Sequence, residues 1–119
     1  QADVLWFCSP EYNYQIPGGL KNLLDWLSRP TDEHDRTSPS AIRGKHAVIC
    51  GAAGKSAAAG MRKQLEALLG ILGVEVLGGD GLGISLTPES WQTDILTLEP
   101  GTQGMLGALV DDTLRKLNP

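Results

Sequence analysis

The chain has 119 residues, 41% of them hydrophobic and 20% charged, with a formal net charge of −4. That is one ordinary globular domain with a modest core, and it excludes a disordered segment and, on charge alone, a nucleic-acid surface. No apolar run approaches the roughly 18 residues that cross a bilayer.

Val4 to Cys8 is a continuous apolar run of strand length that ends at Ser9-Pro10. It reads as a strand of a parallel sheet, buried on both faces. The polar-aromatic segment Pro10-Glu11-Tyr12-Asn13-Tyr14 follows, fenced by Pro17. From Gly18 the period changes: Leu20, Leu23, Leu24 and Leu27 form one face of a helix, stopped by Arg29-Pro30. Residues 31 to 43 are polar and carry Pro39, so they form a surface connection.

Ala47 to Cys50 is a second buried strand and runs into "GAAGKSAAAG". Met61, Leu65, Leu68, Leu69 and Leu72 make a second helical face, and Val74 to Leu77 a third strand. The stretch from Asp80 to Thr102 is irregular, with short extended pieces at Ile84–Leu86 and Ile95–Leu98. A last helix spans about Gln103 to Leu117, with Leu106, Leu109, Val110, Leu114 and Leu117 facing inward. Strand and helix alternate, which implies parallel strands, right-handed crossovers and helices on both sheet faces. The chain enters its first strand within three residues of Gln1, without Met. Three strands beside three helices make a poor isolated sandwich, so further strands are expected upstream.

Ligands of open parallel sheets bind beyond the carboxyl ends of the strands. Two loops leave such ends and enter helices, Ser9 to Gly18 and Gly51 to Gly60. The first supplies aromatic faces, an amide and a carboxylate; the second supplies small residues that let a ligand approach the backbone. A flat, heteroatom-rich ligand suits this pair better than a phosphate. "GAAGKS" resembles a P-loop, but Gly51 precedes Gly54-Lys55-Ser56 by two residues instead of four, which excludes that motif. Against a ligand role stands the plain structural alternative, that Pro, Tyr and Asn here only stiffen a turn.

"SPEYNYQIPGGLKNLLDWLSRP", residues 9–30, closely resembles the hallmark segment of the NADPH-dependent FMN reductase family, which includes quinone, chromate and azo-dye reductases. "GKHAVICGAAGKSAAAGMRKQLEALLGILGVEVL" is similar to the family's next strand, its glycine-rich flavin loop and the helix beyond, so the likeness covers roughly residues 2 to 79. The resemblance implies a flavodoxin-like three-layer α/β/α sandwich with strand order 2-1-3-4-5. Residues 1–119 would be its C-terminal portion, a single domain whose N-terminal strands lie outside the chain. It implies that Pro10, Glu11, Tyr12 and Asn13 lie along the isoalloxazine ring of FMN, with Tyr14 and Ile16 shaping the pocket or a subunit contact. Gly51, Ala52, Ala53 and Gly54 would line the other edge of the ring through backbone N–H groups.

The family's Gly-Ser-rich phosphate loop has no counterpart in these residues, so half of the FMN site is expected here. The implied activity is NAD(P)H-dependent reduction of a small acceptor (quinone, azo compound, chromate or free flavin) through bound FMN, with NADPH as donor and ping-pong kinetics. A flavodoxin-type electron carrier and a fragment without cofactor remain the rivals. The resemblance also implies a homodimer or homotetramer. Trp26, off the main apolar stripe of its helix, is either core packing or part of that seam.

No catalytic or metal-ligating side chain is expected. His46 stands at the amino end of the second strand, on the order of 16 Å from the flavin loops, and His34 falls in the polar connection. Two cysteines, Cys8 and Cys50, make no disulfide framework. With no leader-like basic-then-apolar start, they fit free buried thiols in a cytoplasmic compartment.

Overall fold

The computed structural model describes residues 2–119; Gln1 lies outside the described residues. In chain order the elements are β1 (Val4–Pro10), α1 (Gly18–Leu27), β2 (His46–Ala53), α2 (Ala59–Ile71), β3 (Glu75–Val76), β4 (Leu82–Ser85), α3 (Pro88–Thr93) and α4 (Thr102–Leu117). Every strand pairing is parallel, as the alternation of strand and helix predicts. β1 runs along one edge of β2 in the register Val4↔His46 to Pro10↔Ala52. The other edge is shared. β3 pairs with His46 and Ala47, and β4 with Cys50 through Ala53.

The expected third strand is therefore shortened to β3, and β4, which overlaps the expected extended piece at Ile84–Leu86, takes the rest of that edge. Leu77 N–H still reaches the Ala47 carbonyl at 2.8 Å, after which the chain leaves the sheet through Gly78 to Gly81 and returns at Leu82. Gly78, Gly79 and Gly81 all have positive φ, which glycine adopts without steric cost. At Gly81 the need is absolute, because an added Cβ would sit 1.8 Å from the Ile49 carbonyl oxygen.

One apolar cluster joins the sheet to α1 and α2: Leu5 and Phe7 of β1 and Ala47 and Ile49 of β2 pack with Leu24, Met61, Leu65 and Leu69. Val48, Cys50 and Leu82 are buried outside that cluster, and α4 packs against β4. The α2 stripe lies inward as its spacing requires. In α1, Leu24 is fully buried whereas Leu23 is exposed, because a ten-residue helix on one sheet face buries a narrower stripe than four leucines would fill.

Several expectations need correcting. β1 is an edge strand among the described residues, so Val4 to Phe7 are half-buried instead of covered on both faces, and Cys8 is exposed. Cys50 is buried, in register opposite Cys8, and both thiols are free. Ile95–Leu98 forms no paired strand, whereas Ile84–Leu86 overlaps β4. α3 lies in the stretch expected to be irregular, although Thr87-Pro88-Glu89 carries its signal: Thr87 Oγ1 accepts from Ser90 N–H, Pro88 opens the first turn and Glu89 faces the helix dipole. Along α4 the inward positions are Leu106, Leu109, Thr113 and Leu117, while Val110 and Leu114 are exposed. Thr113 is tolerated inside because its hydroxyl donates to the Leu109 carbonyl at 2.8 Å.

Two glycines with similar φ separate backbone strain from steric clash. Gly44 (φ +80°) has open space where a Cβ would point, whereas Gly81 (φ +73°) has Ile49 there. Gly44→Ala should cost about 1 kcal/mol, the strain of a left-handed alanine. Gly81→Ala should cost about 3 kcal/mol or more, because the clash adds to the strain. Urea unfolding of both variants measures the difference.

Candidate functional site

β1 and β2 end side by side, Pro10 opposite Ala52, so the loops that follow them leave the same end of the sheet together. The first loop turns sharply at once. Tyr12 and Gln15 exchange two backbone hydrogen bonds, Tyr12 N–H to Gln15 O at 3.2 Å and Gln15 N–H to Tyr12 O at 3.0 Å. Asn13 (φ 54°) and Tyr14 (φ 65°) are both left-handed, as in the mirror-image turns of tight hairpins. Asn accepts that conformation readily, whereas for Tyr14 it stores strain of about 1–2 kcal/mol.

The second loop, Gly54 to Ala58, also holds two left-handed residues, Ala57 and Ala58. Two side-chain contacts to its carbonyls fix it. Ser85 Oγ donates to the Gly54 carbonyl at 2.8 Å, tying the loop to the end of β4. Arg62 Nε donates to the Ala57 carbonyl at 3.1 Å. The same guanidinium reaches the Asp80 carbonyl at 3.3 Å and pairs with the Asp80 carboxylate at 3.3 Å, so one side chain joins α2, the loop and the excursion between β3 and β4.

The two loops are clasped by Glu11. Its Oε1 accepts from Ser56 Oγ at 2.6 Å and its Oε2 accepts from Met61 N–H at 3.0 Å. α2 begins after Ala58, which has no side-chain cap, so a carboxylate some 50 positions earlier in the chain satisfies one of its free N–H groups. The Ser56 hydroxyl, then the Met61 N–H, hold the Glu11 carboxyl below its ordinary range. The close approach also explains Gly60, where an added Cβ would meet the Tyr14 carbonyl oxygen at 2.4 Å. Ser56 and Gly60 lie in the expected second loop, Gly51 to Gly60, where the sequence shows small residues but not their individual roles.

Between the clasped loops lies a cleft of about 420 Å³, lined by Glu11, Asn13, Tyr14, Ala53, Gly54, Lys55 and Ser56. Four of the eight residues expected to bind cofactor, Glu11, Asn13, Ala53 and Gly54, thus come together. Pro10, Tyr12, Gly51 and Ala52 do not line it. Pro10, Gly51 and Ala52 belong to the ladder between β1 and β2, and Gly51 faces α2, where its missing Cβ leaves room for Ala58 and Met61 at 2.7 Å each. Tyr12 carries an exposed ring beside the turn. Lys55, absent from the expected set, lines the cleft, and neither its ammonium nor the Asn13 amide has a side-chain partner among the described residues. The arrangement offers an open slot with one amide, one cation and a projecting tyrosine, a fit for a flat ring edged with acceptors.

His46 lies at the far end of β2, paired with Glu75 at 3.0 Å, seven residues or roughly 23 Å from the cleft. His34 pairs with Glu33 in the exposed connection. A more voluminous hollow of about 630 Å³, between Ser28, Arg29, Pro30 and Arg36, lies beyond the C-terminus of α1, at the amino ends of the strands. That is the wrong end of a parallel sheet for its ligand site.

Glu11→Gln should lower stability at neutral pH by about 1 kcal/mol, the usual loss when a helix N-terminus is uncapped. A carboxyl held below its ordinary 4.5 stabilises the fold fully above that value and loses the effect as pH falls through its lowered value. The stability gap between parent and Glu11→Gln should therefore narrow below about pH 4.5, which denaturant titrations at neutral and acid pH will show.

The family model described as NADPH-dependent FMN reductase matches residues 1–88. An NAD(P)H-dependent FMN reductase of Pseudomonas aeruginosa is 33% identical over 116 residues, covering 98% of this chain and 53% of the relative. A quinone reductase of Escherichia coli is 45% identical over 53 residues, 44% of this chain and 28% of that protein. Among solved structures, the flavoenzyme NAD(P)H:(acceptor) oxidoreductase FerB from Paracoccus denitrificans superposes with a TM-score of 0.70 at 26% identity, over 93% of this chain and 59% of FerB. The chain spans little more than half the length of the Pseudomonas relative and of FerB. With its parallel flavodoxin-like sheet and the matched segment running through both loops, the chain belongs to the NADPH-dependent FMN reductase family.

Proposed function

We propose that the cleft between the two loops receives the isoalloxazine ring of FMN, and that the protein reduces small acceptors such as quinones with NAD(P)H. The observation that carries this is the clasp. Glu11 spends both carboxylate oxygens on Ser56 and Met61, leaving the Asn13 amide and the Lys55 ammonium free at the slot between the loops. The bound flavin supplies acceptance of a hydride from the nicotinamide and its delivery to the acceptor.

The chain's own residues bind and orient. Asn13 would hold the polar edge of the ring. Lys55 would favour negative charge accumulating near it. Tyr14, held in its strained turn, would bound the slot, and Gly54 would leave the backbone open to the ligand. Pro10, Tyr12, Gly51 and Ala52 would support these residues from the strand ends. Glu11 is a positioning residue and holds no proton at neutral pH. Its carboxylate already occupies the N-terminus of α2, so the flavin phosphate would be gripped elsewhere. The 119 residues thus read as the C-terminal portion of a flavodoxin-like FMN domain.

A second copy of the chain would complete the site. Trp26 and Leu23 stand exposed on α1, at 72% and 51%, and Tyr14 at 76% projects from the loop just before that helix. Exposed aromatic anchors of this kind are enriched at subunit seams. No helix among the described residues is long and apolar enough to cross a membrane. Free thiols suit a reducing, cytoplasmic compartment.

The full-length protein should be yellow when purified and should oxidise NADPH when duroquinone is added. Colour without quinone-dependent NADPH oxidation would make it an electron carrier, and absence of bound flavin would overturn the reading. Asn13→Ala should weaken FMN binding about tenfold, equivalent to ~1.4 kcal/mol, read from the flavin-to-protein absorbance ratio after dialysis. His34→Ala and His46→Ala should leave turnover within a few-fold of the parent, since neither imidazole is within reach of the cleft.

A further inference from the structure

A second hollow adjoins the cleft. It measures about 540 Å³ and is lined by Gly54, Lys55, Leu86, Pro88, Trp91 and Gln92, among others. Gly54 and Lys55 line both spaces, so the second loop is the neck that the cleft and this open chamber share. The chamber is braced. Ser85 Oγ ties the Gly54 carbonyl at 2.8 Å. Across the chamber, Ser90 Oγ accepts from Thr97 N–H at 2.9 Å and lies 3.0 Å from Thr87 Oγ1, fixing α3 and the strand-free segment after it. Trp91, on α3, is 66% exposed and serves no part of the apolar core.

A tryptophan held on a braced helix, beside a leucine and a proline, is a stacking surface left mostly open among the described residues. Its electron-rich indole prefers an electron-poor ring. The only cation among the lining residues, Lys55, stands at the neck, whereas Glu99 lines the chamber and not the cleft. An anionic substituent is therefore accepted beside Lys55 and disfavoured beside Glu99.

We propose that this chamber selects the acceptor: it holds the fused, non-reacting ring of a bicyclic quinone against Trp91, while Lys55 at the neck meets an ionised oxygen substituent on the reacting ring. The inference rests on the reductase reading above and adds the substrate class. The reaction served is quinone plus NADPH plus a solvent proton giving hydroquinone plus NADP⁺, so the two electrons and two protons taken up by the quinone are accounted for. The hydroquinone is electron-rich and stacks less well on indole, which favours its release.

The probes are lawsone, a hydroxynaphthoquinone ionised at neutral pH, and duroquinone, a single ring with every ring carbon substituted and no site for addition of the exposed Cys8 thiol. Binding of each to the oxidised, full-length, flavin-loaded protein is measured by calorimetry without nicotinamide, beside kcat/KM with NADPH. The parent should prefer lawsone. Trp91→Ala should reduce that preference about tenfold in both measurements, and Trp91→Phe should retain most of it. Lys55→Gln should reduce the preference several-fold and Lys55→Arg should restore it. A preference unchanged within twofold in Trp91→Ala would overturn the proposal. So would a loss of bound flavin parallel to the loss of lawsone binding, which would make Trp91 a support for the cleft. A parent that binds flavin and reduces duroquinone but shows no preference for lawsone would also overturn it, with the reductase reading intact. Absence of flavin or of any quinone reduction would instead defeat the reductase reading itself.

Discussion

One carboxylate sets the geometry of the cleft. Glu11 leaves the end of β1, reaches across to Ser56 and closes on the Met61 N–H in the first turn of α2. Strand register brings the two loops to the same end of the sheet, but register alone fixes nothing beyond the last ladder bond. The clasp transmits that order outward, through two charge-assisted bonds from one carboxylate. Gly60 must then be glycine, because the turn backbone lies where its side chain would be.

The loops on either side of the clasp share a backbone peculiarity. Asn13 and Tyr14 in one, Ala57 and Ala58 in the other, occupy the left-handed region without being glycine. Such residues persist where surrounding contacts over-determine them. Here the contacts are the Tyr12–Gln15 bond pair on one side and Arg62 on the other. Glycines at these four positions would relax the loops but would also release the slot they enclose.

Much of this was legible in the sequence, for definite reasons. The apolar runs at Val4 and Ala47 and the leucine spacing of α2 reflect burial against a sheet, and burial is what a hydrophobic pattern records. The facing loops followed from topology, since parallel strands send their carboxyl ends to one side. What stayed hidden depended on contacts between distant residues. Nothing local in "GAAG" says that Gly51 serves helix packing while Gly54 lines the cleft, since both positions read as small. The exposure of Cys8 depends on which strands flank β1, a property of the whole sheet. The division of one β2 edge between β3 and β4 rests on Gly81 lying against Ile49, a contact between segments some thirty positions apart.

That divided edge gives the architecture a modular seam. β2 keeps β1 beside it throughout, yet changes its other neighbour midway, from β3 near its start to β4 near the cleft. The wall that carries Ser85, Leu86 and Trp91 is therefore laddered to β2 on its own, set apart from β3 by the glycine excursion. A lineage could exchange the β4–α3 segment as a cassette, resizing what the chamber admits while β3, the helical core and the Glu11 clasp stay unaltered.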